Sequence, residues 1–460
     1  MDSKVVATRK IYELVLKGIK PSKLEIDTTI ANANKTMSRL KKIIPKDVTL
    51  VVAGSIARST NLKGDHDIDI FMLFPKKVAE KKMEKMGLEY AKRIIDKKKG
   101  ERFEIKYAQH PYARLHLDDI NMKIDVVPAY KIDNIEELAT AVDRTPLHTK
   151  FINKHFGDKQ RDDVRLLKYL LKAHNIYGAE VKTQGFSGYL CELLVYSYGS
   201  LDNLLQNVVK FRLPLYINPK DMNAKPEKET FKIFNSEFVV IDPVDKDRNV
   251  AAGVSKESLA RFVLVAQKFL EKPDVKLFYG TGFSHAQAKK NVEKLLKDSS
   301  LDLHLLVTKV PDKSEDIIWP QLRKTSEIIA AHAKKFGFGI YLSHVWVDKS
   351  RGFIAYLAPR EVRLTRAFPG PSAFYGSKSV NAFMKSHKNA FAIMLDEDKL
   401  IALDSNKYST LEHLMLDVAK GKLVGDRKDI SLKAAKLFKN KVPAEYAETL
   451  YAELHSKISI

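Results

Sequence analysis

Between Val48 and Pro75 the chain carries the pattern that limits its fold most. A short apolar run, Val48 to Ala53, is closed by Gly54-Ser55; eleven residues follow, and then the alternating run Asp67-Ile68-Asp69-Ile70-Phe71-Met72-Leu73-Phe74, ended by Pro75. The two runs read as strands, joined by a helical turn through Arg58 and a loop at Lys63-Gly64-Asp65. Residues i and i+2 of a strand face the same side about 7 Å apart, so Asp67 and Asp69 project together while Ile68 and Ile70 face a core. A third carboxylate, Asp125, flanked by Ile124 and Val126, is placed to join them from a neighbouring strand. Phe103 to Gln109, Ala113 to Leu117 and Asn121 to Val127 read as three more strands, and Lys76 to Lys99 as a helix with solvated lysines. The succession predicts a small mixed sheet backed by helices.

Three converging carboxylates suit two magnesium ions about 3.5–4 Å apart, which activate a hydroxyl nucleophile and stabilise a leaving pyrophosphate. Magnesium takes oxygen ligands and shares the phosphates of a nucleotide, so few protein ligands suffice. Gly54 lets the backbone approach a phosphate, Ser55 extends the anion site, and Arg58, about one turn on, can reach the same phosphates. An Asp-X-Asp pair alone is common on surface strands; the upstream strand and Gly-Ser at this spacing are what make it a site. Asp65 and His66 read as loop residues, and Asp118-Asp119 as a hairpin turn.

Beyond Thr145-Pro146 the pattern turns helical. Val164, Leu167, Leu170 and Leu171 share one face of a helix that should end near Tyr177-Gly178, and further helices run from Gly188 to Val209 and from Ser255 to Lys272. A proline-punctuated loop at 210–232 and a strand at Glu237 to Ile241 separate them, and Glu271-Lys272-Pro273 marks a boundary. The remainder mixes strands at 303–308, 339–347, 352–357 and 390–395 with helices at 285–296, 327–335 and 411–420. A length of 460 residues suggests about three domains. The net charge of +22 points to a polyanionic partner, and its excess is spread along the chain, which favours a long surface touching a nucleic-acid backbone over a basic tail. The single cysteine, Cys191, excludes an internal disulfide and points to a reducing, cytoplasmic interior. No apolar stretch reaches the length of a membrane span and no signal peptide is visible, so no membrane partner is expected.

The block AGSIARSTNLKGDHDIDIFMLFP resembles the nucleotidyltransferase signature of the DNA polymerase beta superfamily, and more narrowly that of the archaeal, class I tRNA CCA-adding enzymes. DRTPLHTKFI at 143–152, RLLKYLLKAHNIYGAE with QGFSGYLCELL between 165 and 194, and DPVDKDRNVAAGVS at 242–255 carry the narrower likeness. The resemblance implies an α+β fold with a mixed-sheet catalytic nucleotidyltransferase domain at 1–145, a mostly helical nucleotide- and primer-binding domain at 146–273, and an α+β tRNA-binding region at 274–460. It implies that Asp67, Asp69 and Asp125 are the catalytic carboxylates and hold two magnesium ions. Gly54, Ser55, Arg58, Thr145, His148, Lys168 and Tyr177 would contact the triphosphate, and Arg248 would read the base. The implied reaction adds C, C and A from CTP and ATP to the 3′ end of tRNA, gripped by its acceptor and T arms; a homodimer is left open. Ile56 stands where the family often has an aromatic, and Thr149 where a second histidine can follow; neither departure touches a carboxylate.

The same residues also have plainer readings. His148 alone suits a turn or core histidine, and Lys168 the solvated side of a helix. Tyr177, nine residues on, faces away from Lys168 if the helix runs straight, because nine steps of about 100° leave them half a turn apart; they can share a ligand only if the helix ends first, as Asn175 and Gly178 permit. Arg248 in Asp245-Lys246-Asp247-Arg248 could simply pair with its acidic neighbours. Its chemistry nonetheless fits a base reader: arginine only donates, cytosine and adenine offer an unprotonated ring nitrogen, and uracil and guanine oppose it with a ring N–H. Basic and aromatic residues interleave from Arg360 to Lys388 (Arg363, Arg366, Phe368, Phe374, Tyr375, Lys378, Phe383, Lys385), which suits either duplex RNA or a core hairpin with a solvated face. The rival functions are a poly(A) or oligoadenylate polymerase and a non-catalytic RNA-binding protein.

Overall fold

The computed structural model describes residues 3–65, 67–107, 111–117, 122–280, 285–348, 350–360 and 365–419, and, toward the end, 430, 432, 435–440, 443, 446, 447, 450, 451 and 454; His66, Gln109, Asp118, Asp119, Asn121, Arg363 and Lys420 lie outside the described residues. The chain divides into two compact units, 1–281 and 282–460. Among the described residues no helix is long and apolar enough to cross a membrane.

The first unit opens with α1 (Ser3–Ile19) and α2 (Lys23–Lys41), followed by β1 (Thr49–Ala53), the single turn α3 (Gly54–Ala57), β2 (Asp67–Phe74), α4 (Glu80–Arg93), β3 (Arg102–Tyr107), β4 (Pro111–Leu117) and β5 (Met122–Tyr130). The strands form one mixed sheet in the order β1-β2-β5-β4-β3, with β2 and β5 parallel and the other neighbours antiparallel. Alternation decides its two faces. Ile68, Ile70, Met72 and Phe74 enter a core with Ile124 and Val126, Met83 and Ala91 of α4, and Ala33 and Leu40 of α2. On the opposite face Phe71 and Leu73 pack with Ala53 and Ala129, and toward the start of β2 the same face carries Asp69 and Asp67. The expected helix at 76–99 is shorter: α4 stops at Arg93, and a 3-10 turn takes Lys97–Lys99.

The rest of the first unit is helical: α5 (Thr145–His155), α6 (Asp158–Ala173), α7 (Gly188–Tyr198), α8 (Leu201–Val208), α9 (Thr230–Ile233), α10 (Lys256–Glu271) and α11 (Lys276–Tyr279), with one parallel pair, β6 (Leu215–Ile217) and β7 (Phe238–Val240). Val164, Leu167, Leu170 and Leu171 of α6 lie in one core with Leu190 and Leu194 of α7, Phe262 and Phe269 of α10, and Val15 and Ile19 of α1. Helix α6 ends earlier than its apolar stripe suggests. Its last residue is Ala173, and Asn175 takes a left-handed φ of 57°, which turns the chain back so that Tyr177 bridges Phe186. β6 lies inside the stretch read as loop.

The second unit contains α12 (His285–Asp298), β8 (Leu301–Lys309), α13 (Glu315–Lys335), β9 (Leu342–Asp348), β10 (Arg351–Pro359), β11 (Thr365–Ser372), α14 (Ser377–Ser386), β12 (Ala392–Asp396), β13 (Lys399–Ser405), α15 (Leu411–Ala419) and β14 (Lys436–Lys439). Two antiparallel sheets result, β14-β8-β10-β9 and β11-β13-β12. The helix expected at 327–335 begins at Glu315 and runs through Pro320. The proline-bearing β11 was not expected either; as an edge strand it pairs on one side only, where a missing N–H is tolerated.

Gly87 of α4 faces β5 so closely that a β-carbon there would lie 2.7 Å from Cβ of Pro128, an atom fixed to the sheet backbone. Helix propensity favours Gly87→Ala; packing opposes it. The expected net result is destabilisation by about 1–2 kcal/mol, read as a lower thermal midpoint, and a raised midpoint would refute this account of the helix–sheet contact.

Candidate active site

The register of the parallel pair places Asp69 of β2 directly opposite Asp125 of β5. Asp125 is nearly buried and accepts both charged hydrogen bonds of Arg114 from β4, Nε at 2.7 Å and Nη2 at 2.6 Å, because Arg114 is its antiparallel neighbour. Among the described residues no arginine makes such a paired bond to Asp69. Burial and the adjacent Asp125 push its carboxyl up to about 7, with Arg58 and Arg114 pulling the other way and Asp67 adding to the rise. Asp67, at the exposed start of β2, completes the face. Gly54 has a φ of 74°, and a β-carbon on it would overlap Asp69 Oδ2, so only glycine lets the turn after β1 close over the carboxylate.

One face of α6 fixes the loop that follows this turn. Arg161, Arg165 and Lys168 recur at helical spacing and take four successive carbonyls: Arg161 Nε donates to Arg58 O (3.1 Å), Arg165 to Ser59 O and Asn61 O (2.5 and 3.0 Å), and Lys168 Nζ to Thr60 O (2.9 Å). Beneath the loop sits Glu192 of α7, wholly buried. It accepts from Thr60 Oγ1 at 2.5 Å and from Arg58 Nε, 3.0 and 2.8 Å from its two oxygens, with Lys168 Nζ 3.8 Å away. Burial works against its charge, yet Arg58 and Lys168 hold the carboxyl below its ordinary value; burial lowers that of Lys168. A second donor of the same guanidinium, Arg58 Nη1, reaches Thr149 Oγ1 at 3.5 Å, the position where the family can carry a histidine.

A second buried carboxylate, Asp242, gathers another set. His148 Nε2 lies 2.8 Å and Arg248 Nη1 2.9 Å from its Oδ2, while Tyr189 Oη (3.0 Å) and the Val244 N–H (3.0 Å) donate to Oδ1. The His148 ring stacks on Tyr189 at 4.0 Å between centroids. Burial pushes the imidazole below its ordinary value, with the Asp242 carboxylate pulling the other way. Asp143 connects the two halves: it accepts from Tyr130 N–H (2.7 Å) at the end of β5 and from Thr140 N–H (2.6 Å) just before α5.

The residues singled out in the sequence therefore form three groups. Gly54, Asp67, Asp69 and Asp125 share one face of the sheet. Ser55, Arg58, Lys168 and Tyr177 surround the loop and Glu192; the Ser55 carbonyl accepts from Thr60 N–H (2.9 Å), and a β-carbon at Gly188 would meet both Tyr177 Oη (3.2 Å) and Lys168 Nζ (3.5 Å). Because α6 ends first, both tips approach the start of α7 at Gly188. Lys168 is buried rather than on a solvated side. Thr145 and His148 stand one turn apart in α5, and His148 shares Asp242 with Arg248. Arg248 pairs with Asp242 and not with Asp245, which Arg144 holds at 2.6 Å. Sequence reasoning missed Arg114, Arg161, Arg165, Tyr189, Glu192 and Asp242. The spacing of Arg161, Arg165 and Lys168, and one acid inside the apolar run GYLCELLVYSY, were available signals; nothing local distinguishes Asp242.

In the second unit the basic aromatic stretch splits. Phe368 and Phe383 pack on His387 within the small sheet and α14, whereas Phe374 and Tyr375 stand exposed.

All donors on the carboxylate face are hard oxygens, and the like charges of Asp69 and Asp125 leave an electrostatic demand that a divalent cation meets. Among the described residues no three His, Cys, Asp or Glu side chains converge as a ready-made cage.

Residues 32–148 match the family described as Nucleotidyltransferase domain, 162–279 the tRNA nucleotidyltransferase, second domain, and 303–437 the CCA-adding enzyme, C-terminal domain. The CCA-adding enzyme of Methanocaldococcus jannaschii is 35% identical over 433 residues, covering 91% of this chain and 92% of its own. That of Sulfurisphaera tokodaii is 36% identical over 405 residues, covering 87% and 90%. Among solved structures, Cid1 poly(U) polymerase with 3′-dATP is 18% identical and covers 59% of this chain and 98% of its own at a TM-score of 0.48.

Two substitutions separate the roles of the buried acids. Asp69 binds its proton more tightly when folded than when unfolded, so between about pH 4 and pH 7 its contribution to stability falls as pH rises. Asp69→Asn is expected to raise the thermal midpoint at pH 7.5 in chelator by the equivalent of about 1–3 kcal/mol and to abolish the further rise that a divalent cation gives the wild type. Glu192→Gln leaves Arg58 and Lys168 buried without their counter-ion and is expected to cost about 3–5 kcal/mol in thermal or denaturant unfolding.

Proposed function

Since the chain belongs to the archaeal CCA-adding enzymes, we propose that it adds C, C and A, without a template, to the 3′ end of tRNA from CTP and ATP with release of pyrophosphate. The observation that carries the reading is the register that sets Asp69 opposite Asp125, with Asp67 on the same face and Gly54 closing over it. Asp67, Asp69 and Asp125 would hold two magnesium ions, which, when bound, lower the pKa of the attacking hydroxyl and neutralise the departing pyrophosphate. Asp125, or a hydroxide-like state that a bound metal would supply, would take the proton of the RNA 3′-hydroxyl as that oxygen bonds to the α-phosphorus and the bond to pyrophosphate breaks; as base, Asp125 would have to release one of its two bonds from Arg114.

Ser55, Arg58, Thr145, His148, Lys168 and Tyr177 serve the triphosphate, either by contact or by holding the loop from Arg58 to Asn61 under it. In the arrangement described, Arg58 and Lys168 are engaged by Glu192 and Thr60, so a triphosphate competes with Glu192 for Arg58. Arg248, partly exposed, keeps N–H groups beyond the one bound to Asp242 and directs them at the ring nitrogen of C or A. Residues 1–145 are assigned the chemistry, 146–273 the nucleotide and primer end, and 274–460 the acceptor and T arms of tRNA.

Incubating the protein with tRNA lacking its last three nucleotides, with each NTP offered separately and together, tests the reading. CMP addition from CTP alone and completion on adding ATP are expected; adenylation of any RNA end without CTP would replace it by a poly(A)-type polymerase. Asp67→Ala is expected to reduce incorporation by at least about a thousandfold while tRNA binding stays within about threefold, and unimpaired turnover would remove the carboxylates from the chemistry.

A further inference from the structure

We infer that Asp242 is the positioning residue for nucleotide selection: one immobile carboxylate fixes the guanidinium of Arg248 relative to His148, so that the arginine presents a constant set of donors to the incoming base. The inference rests on the reading of Arg248 as the base reader. Arg248 by itself is a poor ruler. Its side chain is about a third exposed (35%), and an arginine so placed has many rotamers available. Discrimination between a ring nitrogen and a ring N–H depends on where the donor points, because a guanidinium free to swing can turn away from the wrong base and offer a neighbouring donor to its carbonyl.

Three observations make Asp242 the fixed point. Its side chain is wholly shielded from solvent, and four donors from separate places hold it: the His148 ring from α5, the Tyr189 hydroxyl from α7, its own loop's Val244 N–H, and Arg248. Both the His148 nitrogen and the Arg248 Nη1 meet the same oxygen, Oδ2, which sets the two side chains at a definite separation. The loop itself is closed at its ends. Asp242 N–H donates to Arg248 O (3.1 Å), Ile241 bridges Asn249, and Arg144 holds Asp245 from the start of α5. Nothing in this arrangement touches a reacting atom; Asp242 acts through Arg248.

A structural role alone would lower stability and slow all nucleotides alike. A positioning role changes the ratio between them. The test compares wild type, Asp242→Asn, Arg248→Ala and the double variant in single-nucleotide addition to tRNA lacking its last three nucleotides, measuring kcat/KM for CTP and for UTP, and likewise ATP and GTP on tRNA lacking only the last nucleotide. Asp242→Asn is expected to reduce the CTP-to-UTP ratio about tenfold to thirtyfold, with tRNA binding unchanged, and the double variant is expected to be no less selective than Arg248→Ala alone. A folded Asp242→Asn protein with the wild-type ratio, or losses that multiply in the double variant, would overturn the proposal. If Asp242→Asn does not fold, Asp242→Glu keeps the charge and displaces it by one methylene; the same loss of selectivity is expected, and a wild-type ratio again overturns the proposal. Failure of the underlying reading is distinct: wild type would then not add C and A, or Arg248→Ala would keep full selectivity.

Discussion

Two carboxylates held opposite each other on adjacent parallel strands are the constraint to which the rest of the first unit answers. Burial and the carboxylate opposite make the charge of Asp69 costly, raising its carboxyl to about 7. Arg114 supplies one positive charge from the next strand, and its hold on Asp125 leaves Asp69 as the group still in need. Gly54 is the steric counterpart: the turn after β1 must pass so near the Asp69 carboxylate that a side chain is excluded. A site of this kind stores the affinity it will use, because the repulsion that costs stability when empty is relieved by the cation and its phosphate partners.

The helical part solves the opposite problem of burying cations near where an anion is to arrive. Glu192 and Asp242 each collect donors that would otherwise be stranded, Arg58 and Lys168 in one case, His148 and Arg248 in the other. Buried pairs add little net stability, yet removal of one partner is expensive. The expected gain is definition of place. Arg161, Arg165 and Lys168 extend the same logic to backbone, since four consecutive carbonyls bound by one helix face leave the segment from Arg58 to Asn61 a single path.

What could be read from the sequence follows the range of each interaction. The alternation at 67–74 states its own two faces, and the Asp-X-Asp pair, the preceding strand and the Gly-Ser turn are all local. The partnership of Asp125 with Arg114 is not, because it needs the strand pairing, and Lys168 reads as solvated until Glu192 is brought under it from another helix. The left-handed Asn175 was legible as a permitted stop and lets the tips of Lys168 and Tyr177 both approach Gly188. Prolines stand inside two elements of the second unit. Pro320 lies in the second turn of α13, where its missing N–H leaves only the carbonyl of Asp316 without its helical donor, and the prolines of TRAFPGPS sit on an edge strand.

The parallel register has a consequence for the life of the chain before it is ever an enzyme. Asp69 and Asp125 are brought together by a crossover that includes α4, β3 and β4, so a fragment that stops before β5 lacks the second carboxylate altogether. A slip of one residue in that pairing would turn one carboxylate into the apolar core and expose its neighbour. Closing so long a loop is among the later and slower events of folding. The facing pair of carboxylates therefore exists only once β2 and β5 have paired, and it is a property of the assembled sheet rather than of either strand.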